Sequence, residues 1–232
     1  MLRRAIVAEC LGSMLLAATV IGSGIMAERL AGGNLAVALL ANTAATVAVL
    51  ATLVALLGPI SGAHFNPAVS LVEALRGKLT VRQTVAYVIV QIAGCCLGAL
   101  LAHAMFELPL IQASVHLRTG PAQWLSEAVA IEGLILVVMG SSAPNEAAWR
   151  VAGWIGAAYW FTASTSFANP AITIARSLSD TYAGIAPAHV PAFITSQLCS
   201  ALVGLLPGKY LLVGRHQAPI PVEEQIARRT GA

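Results

Sequence analysis

Charged side chains are scarce in this chain of 232 residues. Asp, Glu, Lys and Arg make up 10% of the sequence, whereas soluble domains usually carry about 25%. Hydrophobic residues reach 58%, and the mean hydropathy is +0.80. Because this balance lies far outside the soluble range, the composition excludes an ordinary soluble protein and indicates a chain embedded in a lipid bilayer.

Residues that bind metals or react covalently are also few. The four cysteines, Cys10, Cys95, Cys96 and Cys199, lack the spacing of a metal or redox motif, and the five histidines are scattered without an HExxH pattern. No nucleophile, base and orienting group come together in the sequence. We therefore expect no metal site, no cofactor and no enzymatic activity. The net charge of +3 is not gathered in a soluble domain, which argues against a nucleic-acid partner.

Long apolar segments make up most of the sequence. A spanning helix needs about 20 residues, and six segments approach or exceed that length. We predict six transmembrane helices. The first follows two arginines, as a signal peptide would, but its length and Glu9 favour a helix that is retained. The segments lie near residues 5–27, 35–57, 84–106, 122–143, 150–168 and 189–213.

The distribution of basic residues predicts the orientation in the membrane. With the N-terminus inside, ten of the 13 basic residues fall on the cytoplasmic side, and only Arg29, Arg118 and Arg176 fall outside. We expect both termini to be cytoplasmic, in a multi-pass protein of the inner (plasma) membrane. Residues 214–232 are expected to form a short cytoplasmic tail.

The two halves of the sequence repeat one order of landmarks. In each half, a glutamate is followed by Asn-Pro-Ala, then by a glutamine, and then by a glycine seven residues later. Each half contains three spans, so the second half must lie upside down relative to the first, as an inverted repeat within a single domain over residues 1–213. The landmarks are Glu9, Asn66, Gln91 and Gly98 in about 1–106, and Glu127, Asn169, Gln197 and Gly204 in about 122–213.

Both Asn-Pro-Ala motifs are predicted to start short helices. Asparagine is a favoured N-cap, and proline suits the first helical position, where its missing N–H costs nothing. The apolar stretch after Pro67 ends before Arg76, so that helix is about 14 Å long, half of a membrane of about 30 Å. The stretch after Pro170 ends near Leu178. By inversion, the two half-helices enter from opposite sides, and the motifs Asn66, Pro67, Ala68 and Asn169, Pro170, Ala171 meet near the midplane.

Re-entrant backbone of this kind implies a wet cavity, because lipid cannot satisfy free peptide groups. Two helix N-termini at its centre make a positive zone that repels cations and protons. The amides of Asn66 and Asn169 are expected to turn NH₂ donors toward the lumen and orient a permeant oxygen. A neutral solute that bears hydroxyl groups fits this chemistry.

The stretches "SGAHFNPAVSL" (61–71) and "SFANPA" (166–171), with the paired glutamates and six spans, resemble the aquaporin (major intrinsic protein) family from about Ala5 to Val213. The resemblance implies an all-α membrane channel of six transmembrane helices plus two re-entrant half-helices. It also implies a homotetramer with one pore per subunit that passes water or small uncharged solutes. Glu9 and Glu127 are then expected to brace the re-entrant loops by hydrogen bonding.

The same resemblance places a four-residue selectivity filter in the pore. An arginine commonly follows the second Asn-Pro-Ala directly, but here that place is Ile172. Offsets from the motifs put the other three positions at Thr46, Ala157 and Ser166. These four side chains include no aromatic ring and no charge, so we expect a passive channel wide enough for glycerol-like polyols, metalloid hydroxides such as arsenous acid, and water.

The sequence leaves two roles open for Arg176. It lies four residues after Ile172, one turn further along the half-helix and roughly 6 Å nearer the outside. It could therefore line a broad outer mouth and repel cations. Alternatively, it could point into a loop or subunit contact, for example toward Asp180 at i+4.

A proton-coupled secondary transporter is the alternative to a channel, because inverted repeats with broken helices also build transporters. Glu132 supports this hypothesis, since it is a third membrane carboxylate without a counterpart in the first half, where Met14 takes its place. Two positive helix ends at the midplane argue against proton passage.

Overall fold

The computed structural model describes residues 2–212, and every regular element within that range is a helix. Five of the helices, α1, α2, α4, α5 and α8, are long and apolar enough to cross a membrane. The predicted tail 214–232 and its basic residues lie outside the described residues. In chain order the helices are α1 (Leu2–Leu30), α2 (Leu35–Ser61), α3 (Pro67–Leu75), α4 (Val81–Met105), α5 (Pro121–Gly140), α6 (Pro144–Phe161), α7 (Pro170–Arg176) and α8 (Val190–Leu212), the last preceded by a 3₁₀ turn (Pro187–His189).

The fifth predicted span, 150–168, corresponds to α6, which begins at Pro144 and ends at Phe161, earlier than predicted. It has 18 residues, about 27 Å of helix, and its first turns carry Asn145, Glu146 and Arg150. Its start is therefore polar, and only its later part is strongly apolar. The short helix α3 has nine residues, which is the half-membrane length predicted from the sequence, and α7 has seven, because it ends at Arg176 and so two residues before the predicted end near Leu178.

Packing between the helices follows the inverted repeat. In the first half α1 packs against α4 and α2, and in the second half α5 packs against α8 and α6. Each short helix also crosses to the other half, since α3 contacts α8 and α7 contacts α4. The two halves are therefore interlocked through α3 and α7.

Glycine allows the tightest helix crossing, between α1 and α4. A methyl group at Gly94 would overlap the carbonyl of Cys10, and one at Gly98 would overlap the carbonyl of Met14. At Gly204, the repeat counterpart of Gly98 on α8, an added methyl group would lie 3.4 Å from Glu132 Cα, an ordinary contact. At this pair of repeat positions the helices therefore approach more closely in the first half, at Gly98, than in the second, at Gly204.

The bundle has two ends, named here from its helices. The inner end is where α1 begins and α3 ends, and the outer end is where α7 ends. The loop 106–120 between α4 and α5 covers the outer end, where the backbone N–H groups of Gln112 and Ser114 donate to the carbonyls of Leu178 and Ser177 at 3.0 and 3.1 Å.

Candidate functional site

A cavity of about 390 Å³ lies between the helices and passes both Asn-Pro-Ala motifs. Near the outer end its wall includes Thr46, Ser166 and Arg176, and near the inner end it includes Glu73 and Lys78. Helices from both halves contribute to its wall. The described part of the chain therefore encloses a path that is lined from one end of the bundle to the other.

The two asparagines join the half-helices to each other at the centre of this cavity. Asn66 Oδ1 accepts from the N–H of Ala68 at 2.9 Å, while its Nδ2 donates to the carbonyl of Ala168 at 2.8 Å. Asn169 mirrors this, because its Oδ1 accepts from Ala171 at 2.9 Å and its Nδ2 donates to the carbonyl of Phe65 at 2.8 Å. One hydrogen of each NH₂ group is thus bound to the opposite loop, which leaves the other hydrogen for the lumen.

The loops that precede the motifs share an unusual backbone. Ala63 and Phe65, at three and one residues before Asn66, have φ of 49° and 47°. Ser166 and Ala168, at the same offsets before Asn169, have φ of 51° and 46°. This left-handed conformation costs a non-glycine residue about 1–2 kcal/mol. In each loop two successive N–H groups turn toward a buried glutamate, while the carbonyls of Phe65 and Ala168 turn toward the asparagine of the opposite motif.

Glu9 receives the N–H groups of the first loop. Its Oε1 accepts from Ser61 Oγ at 2.6 Å and from the N–H of His64 at 3.0 Å. Its Oε2 accepts from the N–H of Phe65 and from Gln91 Nε2, both at 2.8 Å. A fully buried carboxylate needs such donors, and here they hold the loop in its strained form.

Glu127 has the equivalent arrangement in the second loop. Its Oε1 accepts from the N–H of Phe167 at 2.9 Å, and its Oε2 accepts from Ala168 at 2.8 Å and from Gln197 Nε2 at 2.6 Å. Both glutamates therefore make the contacts that a loop brace requires. Gln91 and Gln197, the repeated glutamines of the sequence, each add one further donor to the glutamate of their half.

Residues that bear hydroxyl groups line the outer part of the cavity. Thr46 Oγ1 donates to the carbonyl of Asn42 at 2.9 Å and lies 3.4 Å from the hydroxyl of Tyr159. Ser166 Oγ is buried and has no hydrogen-bond partner among the described residues. Ile172 adds the apolar side of the wall. Three of the four predicted filter residues, Thr46, Ser166 and Ile172, are thus brought together on the cavity.

Ala157 does not join them, and its assignment to the filter is corrected by the structure. It lies on the exposed face of α6, whereas Ile155 and Tyr159 line the cavity. Residues two apart on an α-helix point about 200° away from each other, so an offset that is wrong by two residues selects the opposite face. Tyr159, which is 4% exposed, takes the place that was predicted for Ala157.

Arg176 points inward and is 3% exposed. Its guanidinium carbon lies 3.3 Å from the centre of the Phe167 ring, and its Nε donates to the carbonyl of Ala183. The side chain also lines the cavity. Arg176 therefore combines both roles that the sequence left open, because it lines the cavity and also contacts a loop at Ala183. The example of Asp180 as its partner is wrong within the described residues: the two form no ion pair there, and Asp180 Oδ1 accepts from the N–H of Val115 at 2.9 Å.

Arg118 is a second cation at the outer end that the sequence analysis placed only on the outside. Its Nε donates to the carbonyl of Gly184 at 2.8 Å, and its guanidinium carbon lies 5.3 Å from the centre of the Phe167 ring. Burial in the loop 106–120 lowers the pKa of Arg118 from its ordinary value. Two arginines therefore share the Phe167 ring, and nothing in the spacing of the sequence links Arg118 to the second motif.

The inner end carries charges of both signs. Glu73 on α3 is 4% exposed and forms ion pairs with Arg76 and with Lys78, whose Nζ lies 2.8 Å from Glu73 Oε2. Glu73, Lys78 and His64 line this part of the cavity. The sequence analysis used Arg76 and Lys78 only as signals of orientation and did not single out Glu73.

Glu132 lies on α5 beside Gly204 of α8 and is half-buried. It is not among the residues that line the cavity, and it has no hydrogen bond or ion pair within residues 2–212. A proton-coupling group has to reach the transport path. The position of Glu132 therefore removes the observation that favoured a transporter.

Comparison with known proteins gives three findings. Residues 1–140 match the family model described as "Major intrinsic protein". Over 162 residues, covering 69% of this chain and 70% of the relative, the sequence is 54% identical to aquaglyceroporin AqpS of Rhizobium meliloti (strain 1021). Over 167 residues, covering 64% of this chain and 54% of the relative, it is 32% identical to aquaporin NIP1-2 of Oryza sativa subsp. japonica.

A solved structure shares the fold. The X-ray structure of the aquaglyceroporin from Plasmodium falciparum matches with a TM-score of 0.68 over 91% of this chain and 97% of that chain. At 16% identity this likeness concerns the fold alone. It confirms the all-helical membrane architecture with two half-helices that was predicted from the sequence.

Proposed function

Because this chain belongs to the major intrinsic protein family, we propose that it is a passive transmembrane channel for small uncharged solutes. The permeant solutes are glycerol-like polyols, metalloid hydroxides such as arsenous acid, and water. The observation that carries the proposal is the outer part of the cavity, where the wall combines Thr46, Tyr159 and Ser166, which bear hydroxyl groups, with the apolar side chain of Ile172.

The chemistry of this constriction suits a molecule with several hydroxyl groups. A buried hydroxyl without a partner costs about 1–3 kcal/mol, and Ser166 Oγ is such a group until a permeant oxygen or water meets it. Ile172 offers the carbon backbone of a polyol an apolar surface. Arsenous acid presents three hydroxyl groups on a centre of similar size and uses the same donors and acceptors.

Charge selectivity comes from the midplane and from the outer end. The N-termini of α3 and α7 meet at the motifs, where each contributes about half a positive charge. Arg176 and Arg118 add two full positive charges at the outer mouth. In this proposal cations and protons are rejected, while neutral solutes are not.

The remaining features are part of the same proposal. Residues 1–213 form one channel domain with a pore in each subunit, and four subunits form a homotetramer in the plasma membrane with both termini in the cytoplasm. The exposed apolar faces of the long helices, for example Leu40, Leu56 and Leu97, supply the surface that lipid or a neighbouring subunit covers. No cofactor or metal takes part.

Stopped-flow light scattering on proteoliposomes tests the function. Fluxes of water, glycerol and arsenous acid are compared with those of empty liposomes, with and without a proton gradient. We expect fluxes of glycerol and arsenous acid that exceed those of empty liposomes and do not depend on the gradient. Flux of water alone would contradict the wide constriction, and uptake that requires the gradient would favour a transporter.

A matched variant links the result to the constriction. Ile172→Arg places a charged side chain where the wild type has an apolar one. We expect it to lower glycerol flux more than water flux, because a narrower and more polar passage excludes the larger solute first. An equal loss of both fluxes would mean that Ile172 does not set the selectivity.

A further inference from the structure

The inverted repeat pairs two charged residues that line the cavity. Glu73 lies seven residues after Asn66, and Arg176 lies seven residues after Asn169. Both side chains face the same cavity from the last turn of their half-helices, and both are at least 96% buried, with exposures of 4% and 3%. The position that carries a guanidinium at the outer end therefore carries a carboxylate at the inner end.

Two ion pairs hold the carboxylate of Glu73 in place but leave part of its capacity to accept hydrogen bonds unused. Its Oε1 accepts from Arg76 Nη1 and its Oε2 from Lys78 Nζ, and no other donor to it occurs within residues 2–212. A carboxylate offers about four acceptor sites, so each oxygen retains one. Because Lys78 sits at the mouth, with its side chain 54% exposed, the carboxylate is fixed beside the path by which a solute enters or leaves.

A second polar group faces the same space. His64 lines the cavity next to Glu73, and its Nδ1 lies 3.1 Å from Ser70 Oγ. That contact orients the ring, and His64 Nε2 has no hydrogen-bond partner in the described part of the chain. An acceptor, Glu73, and a ring nitrogen, His64 Nε2, therefore lie along one section of the inner wall.

We propose that Glu73 is a second solute-contact residue, which accepts a hydrogen bond from a hydroxyl group of a neutral polyol at the inner end of the pore. This inference rests on the proposed function and adds an inner contact to the outer constriction. A polyol that leaves the midplane meets a charged acceptor, and hydrogen bonds to charged groups are about twice as strong as those between neutral groups. Arg76 and Lys78 orient the carboxylate through their ion pairs with it.

Glu73→Gln is the direct test, with glycerol, ethylene glycol and water fluxes measured in proteoliposomes containing equal amounts of protein. We expect the ratio of glycerol to water permeability to fall about fivefold, with a smaller fall for ethylene glycol, because the loss grows with the number of solute hydroxyl groups. The matched control is Glu146→Gln, which removes an inner-end carboxylate paired with Arg150 outside the cavity and is expected to leave the ratio unchanged.

Lys78→Gln separates solute contact from an anchoring role. It breaks an ion pair of Glu73 but leaves the carboxylate in the cavity, so we expect a smaller fall in the ratio than with Glu73→Gln. If Glu73→Gln fails to fold because two cations lose their partner, the double variant Glu73→Gln/Lys78→Gln is tested in its place, and water flux reports its integrity.

The outcomes distinguish the inference from the function on which it rests. Glycerol flux through the wild type with an unchanged ratio in Glu73→Gln, or in the double variant, overturns the contact and leaves the channel function intact. An equal fall in Lys78→Gln and Glu73→Gln overturns it as well, since anchoring would then explain both. Absence of glycerol flux in the wild type overturns the function and the inference together.

Discussion

The outer and inner ends of the cavity are built on equivalent backbone but carry opposite charge. The half-helices begin with the same capped Asn-Pro-Ala, and the residue seven positions after each asparagine lines the cavity as Arg176 at the outer end and as Glu73 at the inner end. Arg176 packs on the ring of Phe167, whereas Glu73 is paired with Arg76 and Lys78.

This difference separates what the repeat must keep from what it is free to change. The contacts that fix the loops are the same in both halves, down to a glutamate and a glutamine on each side. The side chains that line the cavity on the last turn of each half-helix are not the same. The scaffold is therefore symmetric, whereas the charge of the side chains that line the cavity differs between its two ends. Four predictions test this comparison, from the largest expected effect to the smallest.

The largest effect is expected from the glutamates, where the two halves are most alike. Glu9→Ala leaves four donors without an acceptor, and Glu127→Ala leaves three. At about 1–3 kcal/mol for each donor that stays unsatisfied, we expect losses of about 4 kcal/mol, with the larger loss for Glu9→Ala. Thermal unfolding in detergent measures both, with Glu28→Ala, at an exposed position near the end of α1, as the control. An unfolding midpoint unchanged in either variant would contradict the bracing role.

The next effect concerns the packing of α4 on α1 at Gly98 and of α8 on α5 at Gly204, which differs between the halves. In Gly98→Ala the added methyl group overlaps the carbonyl of Met14, so we expect a loss of about 2 kcal/mol. Gly204→Ala meets only ordinary contacts and replaces a poor helix former, so its effect is expected to be neutral or slightly stabilising. The same unfolding measurement compares them. Equal losses would show that the two crossings are equally tight.

A smaller effect is expected when the positive charge is removed from the outer end alone. Arg176→Gln deletes a charge that lines the cavity, so we expect sodium leak into proteoliposomes to rise about tenfold, which corresponds to about 1.4 kcal/mol. Sodium-sensitive dye inside the vesicles reports the leak, and Arg150→Gln, on the exposed part of α6, serves as the control. Unchanged leak together with unchanged glycerol flux would exclude a role for Arg176 at the mouth.

The smallest effect is expected at the outer constriction. Tyr159→Phe removes one hydroxyl group and preserves the ring, so we expect glycerol flux to fall about threefold while water flux changes less. Ala157→Ser, on the exposed face of α6, is expected to change neither flux. Stopped-flow light scattering measures both variants. A larger effect at Ala157 than at Tyr159 would restore the assignment made from sequence offsets.

The sequence predicts the scaffold well because the scaffold depends on local rules. Proline after a capping asparagine starts a helix in any context, and an apolar run of nine residues can cross only half of a bilayer. The bounds of α3 follow directly from these two rules. The end of α7 was predicted near Leu178, but the helix ends at Arg176. The pairing of Glu9 with its loop follows from the cost of a buried carboxylate.

The parts that the sequence did not predict depend on distant contacts. The choice between Ala157 and Tyr159 turns on the rotation of α6, which offsets from a motif do not supply. The shared position of Arg118 and Arg176 on Phe167 joins a loop to a half-helix more than 50 residues away along the chain. Helix rotation and loop placement are set by tertiary packing, so no local sequence pattern predicts them.

The crossed bonds of the two asparagines also set an order of events during synthesis. Asn66 Nδ2 donates to the carbonyl of Ala168, and Asn169 Nδ2 donates to the carbonyl of Phe65, so the two bonds span 102 and 104 residues of chain. When a ribosome has released only α1 to α4, the first half-helix has no partner for its capping amide. The first three spans are therefore in the membrane before the hydrogen bonds at the centre of the cavity can form, and the cavity takes its final form only after the second half has been inserted.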